Sequence, residues 1–334
     1  MHIVEINDIA SVASDLSRAL EHRGHRVTVI RPRLIGGGLP WTIKPVVGPF
    51  RALEWADIIQ RLRREKPDIL HIHYAYLGMI GVLGRFPYIL HCHGSDVREI
   101  TPFTRPLVER ALAGALRVYY ATPDLAPYVT SRRPDAEFLP NPVDSEAFAP
   151  TTPATEASGV YICCSLTDIK GWRRLYRACA QLAKVRPDIQ VTALDYGDHV
   201  QAFAKLPNVR LLPFQRRDQL PALINQHAIV VGQAFLGALG MAELEAMACA
   251  RPVVAWYRNN AGYVEPPPIW RAVDGIDIAR AVIRLHDDPA ARETLGDAAR
   301  GWVVRNHGMD HTAARVEAAG VDALETYRAA RAAS

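Results

Sequence analysis

Gly237-Ala238-Leu239-Gly240-Met241-Ala242-Glu243-Leu244-Glu245-Ala246-Met247-Ala248-Cys249-Ala250-Arg251-Pro252-Val253-Val254-Ala255 is the stretch that decides the fold. A glycine-flexed turn runs into a short helix carrying a carboxylate, and a β-branched apolar run follows as a buried strand. Glycine lets main-chain N–H groups come close to a phosphate, and the helix N-terminus adds partial positive charge to the same place. Glu245, one turn further on, has the reach to accept two ribose hydroxyls. The same loop, helix and strand also occur as ordinary parts of α/β sheets. What separates the two readings is the rest of the chain.

On both sides of this stretch, short apolar runs alternate with amphipathic ones, the rhythm of repeated βα units and a parallel sheet. Strands are expected at residues 2–6, 26–30, 68–73, 88–93, 117–121 and 137–140, then at 160–164, 190–194, 209–213, 229–232 and 252–256. Ser11 is placed to cap the first helix, whose Val12, Leu16, Ala19 and Leu20 fall on one face before Gly24 stops it. Between Asp144 and Gly159 the sequence turns to Pro, Thr, Ala, Ser and Glu, which reads as an interdomain linker. Three helices, 276–285, 290–305 and 311 to about 330, close the chain.

The 334 residues exceed the usual size of one hydrophobic core, so two domains of about 150 residues each are expected. With 39 basic and 35 acidic residues the net charge is only +4, too balanced for a dedicated nucleic-acid binder. Arg61, Arg63, Arg64 and Lys66 close one helix, where cations complement the macrodipole. Cys92, Cys163, Cys164, Cys179 and Cys249 lack metal or disulfide spacing and fit buried thiols in a reducing cytoplasm. The first residues read as a strand and not as a signal peptide, and no run reaches the roughly 18 apolar residues of a membrane span. A cytoplasmic protein, at most peripheral at the inner membrane face, is the expectation.

Six short motifs, in order, then carry a resemblance: Gly24-His25-Arg26-Val27-Thr28-Val29-Ile30, Pro67-Asp68-Ile69-Leu70-His71-Ile72-His73, His91-Cys92-His93-Gly94-Ser95-Asp96, Phe138-Leu139-Pro140-Asn141-Pro142-Val143-Asp144, Lys170-Gly171-Trp172 and the Gly240 to Ala255 stretch. In this order they resemble the retaining glycosyltransferases of family 4, which have the GT-B fold. The resemblance implies an α/β chain of two Rossmann-like, doubly wound domains facing a central cleft. Residues 1–150 would bind the acceptor and 151–310 the nucleotide sugar. A C-terminal helix, 311–334, would pack back toward the first domain.

His93 ends a strand at the carboxyl edge of the sheet, where open α/β sheets bind ligands. The resemblance assigns it the donor sugar and the reacting centre. His71 and His73 share one strand face and are expected in packing or the acceptor loop. A metal site built from His71, His73, His91 and His93 is disfavoured, because they bring no carboxylate or thiolate at ligand spacing. Lys170 precedes a helix and can neutralise a leaving diphosphate, with N–H groups around Gly240, Met241 and Ala242. Glu245 is assigned the ribose hydroxyls. No metal and no cofactor beyond a UDP- or GDP-linked donor is expected, since an Asp-x-Asp cluster is absent from the sequence.

Three departures qualify the resemblance. Family members carry a glutamate eight residues before Glu245, where this chain has Gly237, and Glu243 is expected on the wrong helical face to replace it. An arginine five residues before the lysine is here Ser165, and Arg173, one turn beyond Lys170, is the candidate substitute. Asn7-Asp8-Ile9-Ala10-Ser11-Val12 stands where a glycine-glycine turn is usual. The implied reaction is transfer of a sugar to a glycan, a lipid-linked molecule or a small metabolite. A non-catalytic binding subunit and a sugar-nucleotide epimerase stay open. The segment 31–50, with Gly36-Gly37-Gly38 and Trp41, is expected to face the acceptor.

Overall fold

In the computed structural model, which describes residues 1–33, 44–258 and 262–332, the chain divides into two compact units. The first comprises residues 1–142 and 309–334, the second residues 143–308.

The first unit is built on six strands, β1 (His2–Ile6), β2 (Arg26–Ile30), β3 (Ile69–His73), β4 (Tyr88–Cys92), β5 (Arg117–Tyr120) and β6 (Glu137–Phe138). They form one all-parallel sheet in the order β2-β1-β3-β4-β5-β6. Alternation divides each strand between two cores. Val4, Ile6, Leu70, Ile72, Leu90 and Cys92 belong to one core cluster, while Ile3, Ile69 and Ile89 face the other. That second face is covered by the helix Val12–His22 and by the helix Met309–Ala332, whose Ala313, Val316, Ala319, Ala323 and Leu324 are buried there. The last helix of the sequence is thus part of the first unit.

The second unit repeats the plan with β7 (Val160–Ile162), β8 (Val191–Leu194), β9 (Val209–Leu212), β10 (Ile229–Val231), β11 (Val253–Ala255) and β12 (Trp270–Arg271). Its parallel order is β12-β11-β10-β7-β8-β9. In each sheet the chain builds to one side of the first strand and then crosses to the other. This makes β1/β3 and β7/β10 the topological switch points, where open α/β sheets place their ligands.

Several expectations are corrected. The stretch from Asp144 to Gly159 is no loose linker. Phe148 is buried, Asn225 holds Ala149 and Thr151, and the carbonyls of Thr152 and Ala154 accept hydrogen bonds from the buried Arg251 and Arg292. Proline-rich composition hid this, because the polar partners lie about 75 to 140 residues further along the sequence. Ser11 makes no side-chain cap. Asp8 serves the helix start instead, accepting from the Ser14 N–H and hydroxyl. The loop around it keeps the left-handed conformation glycine would take, with Asn7, Ala10 and Ser11 at φ 74°, 48° and 63°. The expected 31–50 segment falls partly outside the described residues, Gly36-Gly37-Gly38 and Trp41 among them, and from Lys44 the chain is already helical.

Candidate functional site

At the β7/β10 switch point lies a cavity of about 200 Å³. Cys163, Cys164 and Ser165 leave β7 along one wall, and Lys170 completes it. Gly240, Met241, Ala242 and Glu243, at the start of the helix Met241–Ala248, form the other. Leu194 and Tyr196, from the end of β8, close the side. Lys170, Gly240, Met241 and Ala242 are therefore brought together.

Local backbone chemistry fixes this wall. Gly171 takes φ 81°, and a Cβ there would lie 2.9 Å from the carbonyl carbon of Ala234. The close approach lets the Lys170 carbonyl accept the Ala234 N–H at 2.8 Å, so the lysine is tied to the loop beyond β10. The Lys170 side chain has no hydrogen-bond or ion-pair partner among the described residues, and its Nζ lies 3.9 Å from where a Cβ of Gly240 would sit. Burial raises the thiols of Cys163 and Cys164, the latter to about 12, so both stay protonated and add no negative charge to the wall that Lys170 and Glu243 share.

Across the cavity, the Glu243 carboxylate accepts the N–H of Gln233 at 2.7 Å and that of Gly240 at 2.9 Å. The Gly240 amide is thereby occupied. The N–H groups of Met241 and Ala242, in the first turn, are the ones a helix leaves without an intrahelical acceptor. Gln233, fully buried, orders the glycine turn: its Oε1 accepts from Phe235 and Leu236, and its Nε2 donates to the carbonyls of Ala238 and Trp256. Gln233 escapes sequence reasoning, although a glutamine directly after an apolar strand was a usable signal. Gly237, the position of the missing glutamate, sits at φ 75°, with Arg258 Cγ 2.8 Å from where its Cβ would be.

Glu245 and Arg173 do not line this cavity. Glu245, 4% exposed, pairs through Oε1 with Arg217 Nε at 3.0 Å. Arg173 lies over the Trp172 ring, its guanidinium carbon 4.7 Å from the centroid.

His93 belongs to the first unit, at the β1/β3 switch point and just past β4. It is half-buried, and its Nε2 lies 2.9 Å from His73 Nδ1. His73 Nε2 in turn lies 2.7 Å from Glu5 Oε2, and the same carboxylate oxygen is 3.1 Å from His71 Nδ1. His91 Nε2 meets the Leu139 carbonyl at 3.2 Å. Register explains the cluster: Glu5 pairs with His71 and His73 with His91, all on the Ile3, Ile69 and Ile89 face. Burial works to raise Glu5, but His71 and His73 outweigh it and hold the carboxyl at about 2. Burial pulls His73, His91 and His93 below the ordinary histidine range. One nitrogen each of His71, His73 and His91 lie within 4.8 Å of one another, a spacing that could hold a metal ion, but both ring nitrogens of His73 are already spent on Glu5 and His93. Asp96 anchors the loop beyond, accepting from the N–H groups of Ala75, His93 and Gly94.

Each of the two six-stranded parallel sheets thus gathers polar chemistry at its switch point. Residues 9–147 match Glycosyltransferase Family 4 and residues 158–288 match Glycosyl transferases group 1. The chain belongs to glycosyltransferase family 4. It is 29% identical over 197 residues to a GDP-mannose-dependent monoacylated alpha-(1-6)-phosphatidylinositol monomannoside mannosyltransferase of Corynebacterium glutamicum, covering 51% of this chain and 52% of that one. The match thus spans about half the length of that relative. A D-inositol 3-phosphate glycosyltransferase of Pseudarthrobacter chlorophenolicus is 28% identical over 326 residues, covering 81% of this chain and 74% of that one. The fold is shared with Anabaena HepE (Alr3699), solved with UDP-glucose: the TM-score is 0.70 at 16% identity, over 95% of this chain and 99% of that one. None of the described helices is long and apolar enough to cross a membrane.

Proposed function

We propose that the second unit binds a nucleoside diphosphate sugar and that the enzyme transfers the sugar, with retention of anomeric configuration and without a divalent metal, to an acceptor held by the first unit. One observation carries this reading: the Lys170 ammonium, without a partner among the described residues, faces the first-turn N–H groups of Met241 and Ala242 across a cavity at the β7/β10 switch point. A diphosphate there meets one full positive charge and the positive end of a helix. Glu245, already oriented by Arg217, takes the ribose hydroxyls.

The acceptor oxygen forms a bond to the anomeric carbon as the bond from that carbon to the diphosphate oxygen breaks. The acceptor proton passes to the leaving phosphate on the same face. Gly237 has no side chain, so that position offers no protein nucleophile for a covalent double displacement. Lys170 and the two amides stabilise the charge that develops on the leaving group. His93, in the first unit, is assigned a substrate contact. The names of the two curated relatives both carry inositol, which makes inositol-bearing molecules, free or lipid-linked, the first acceptors to try.

The test is incubation with UDP-glucose, GDP-mannose and related donors, reading thermal shift, product and the anomeric coupling constant of the product, with and without EDTA. Expected are stabilisation by one donor, a retained anomer and turnover indifferent to EDTA. Absence of both binding and turnover with every donor overturns the proposal.

A further inference from the structure

Four of the five polar side chains gathered at the β1/β3 switch point, Glu5, His71, His73 and His91, are at most 1% exposed. An apolar set of the same volume would be the cheaper filling for such a face. Their hydrogen bonds fix where each proton sits. Glu5 is ionised over the whole working pH range and so can only accept. The 2.7 Å contact therefore places a proton on His73 Nε2. Burial, with His71 beside it, keeps His73 neutral, so its Nδ1 carries a lone pair. The 2.9 Å contact to His93 must then be donated by His93 Nε2–H. His93, also neutral, is left with its lone pair on Nδ1. That nitrogen has no hydrogen-bond partner among the described residues and is absent from the buried polar atoms.

We infer that Glu5 and His73 are positioning residues that lock His93 in the Nε2–H tautomer, so that Nδ1 stands open as the acceptor for a sugar hydroxyl. The inference rests on the reading of His93 as a substrate contact. It assigns a role to two residues well removed from the reacting atoms: the carboxylate fixes one imidazole, which fixes the next. Other charged or titratable groups face the chain. His71 donates its Nδ1–H to the same carboxylate. The His91 ring lies 4.5 Å from that of His93 and 5.5 Å from that of His73. Asp96 grips the His93 main-chain N–H, and Asp8 acts on His73 through space. None of these makes a hydrogen bond to a His93 ring nitrogen among the described residues.

The experiment uses the full chain labelled with 15N-histidine and long-range 1H–15N correlation spectra at pH 7.5 without ligand. Expected is the Nε2-protonated pattern for both His73 and His93. In Glu5→Gln, which keeps the shape and removes the charge, His93 should shift toward a tautomer mixture. With UDP-glucose and GDP-mannose as probes, kcat should fall about tenfold while the donor KM changes less than twofold, and Glu5→Asp should recover part of kcat. A wild-type His93 protonated on Nδ1, or a His93 pattern unmoved in Glu5→Gln, overturns the inference. The wild-type spectrum decides even where the variant fails to fold. The expected pattern in a protein that neither binds nor turns over any sugar nucleotide would leave the tautomer lock standing and remove the donor reading.

Discussion

The two sheets share a topology and put their chemistry at corresponding switch points, yet they build it from opposite materials. In the second unit the cavity wall relies on backbone: amides at a helix start, one of them capped by Glu243, a turn ordered by Gln233, and a lysine whose side chain has no partner among the described residues. In the first unit it is side chain on side chain, a carboxylate and three imidazoles held almost entirely away from water, with the half-buried His93 at their edge. Main-chain donors suit a charged ligand that binds and leaves, because they need no counter-charge when empty. A buried carboxylate with imidazoles suits a fixed orientation, because each proton is already committed.

The largest effect should come from Lys170. Lys170→Ala is expected to lower kcat/KM by roughly 10²–10³, the range seen when one stabilising donor is removed from a leaving-group site, with an unchanged Tm. A comparable loss in Tm would place the lysine in the fold instead. A second contrast is acid sensitivity. Glu5 goes from an ordinary 4.5 to about 2, so its contribution is complete above pH 4.5 and is lost as the pH falls toward 2. That shift corresponds to about 3 kcal/mol. His73, His91 and His93 are depressed as well, so their part is complete above the ordinary histidine range and starts to go as the pH falls through it. Hydrogen exchange should therefore show β1, β3 and β4 losing protection relative to β7 and β10 as the pH falls from 7.5 to 5, through the histidine range. Equal protection in both sheets would erase the contrast.

Smaller is the cost of crowding the lysine wall. Gly171→Ala forces a side chain into left-handed backbone and against Ala234, and should cost about 1–3 kcal/mol by denaturant titration. Donor affinity should fall with it, since the same close approach seats Lys170. Arg173→Ala should do least, changing donor affinity less than threefold. It gives up the contact with Trp172, about 0.5–1 kcal/mol for an exposed cation on an aromatic face.

Most of the architecture was legible because buried parallel strands are written as unbroken apolar runs. Eleven of the strands were placed within one or two residues of their bounds. β12 was not, being two exposed residues without such a run. The cavity was legible in outline, since glycine spacing, a helix start and a lysine-glycine pair are local signals. What escaped was whatever depends on partners far along the sequence. Glu5 looks like a misplaced charge in an apolar strand until β3 brings His71 and His73 to it, 66 and 68 residues away. The packed stretch after Asp144 reads as loose for the same reason, its anchors being Asn225, Arg251 and Arg292.

The helix Met309–Ala332 covers a face of the first sheet, although the whole second unit is translated before it. On the ribosome, then, Ile3, Leu16, Leu20 and Ile69 wait uncovered until that segment emerges. The half of the protein that is synthesised first is the half that must finish folding last.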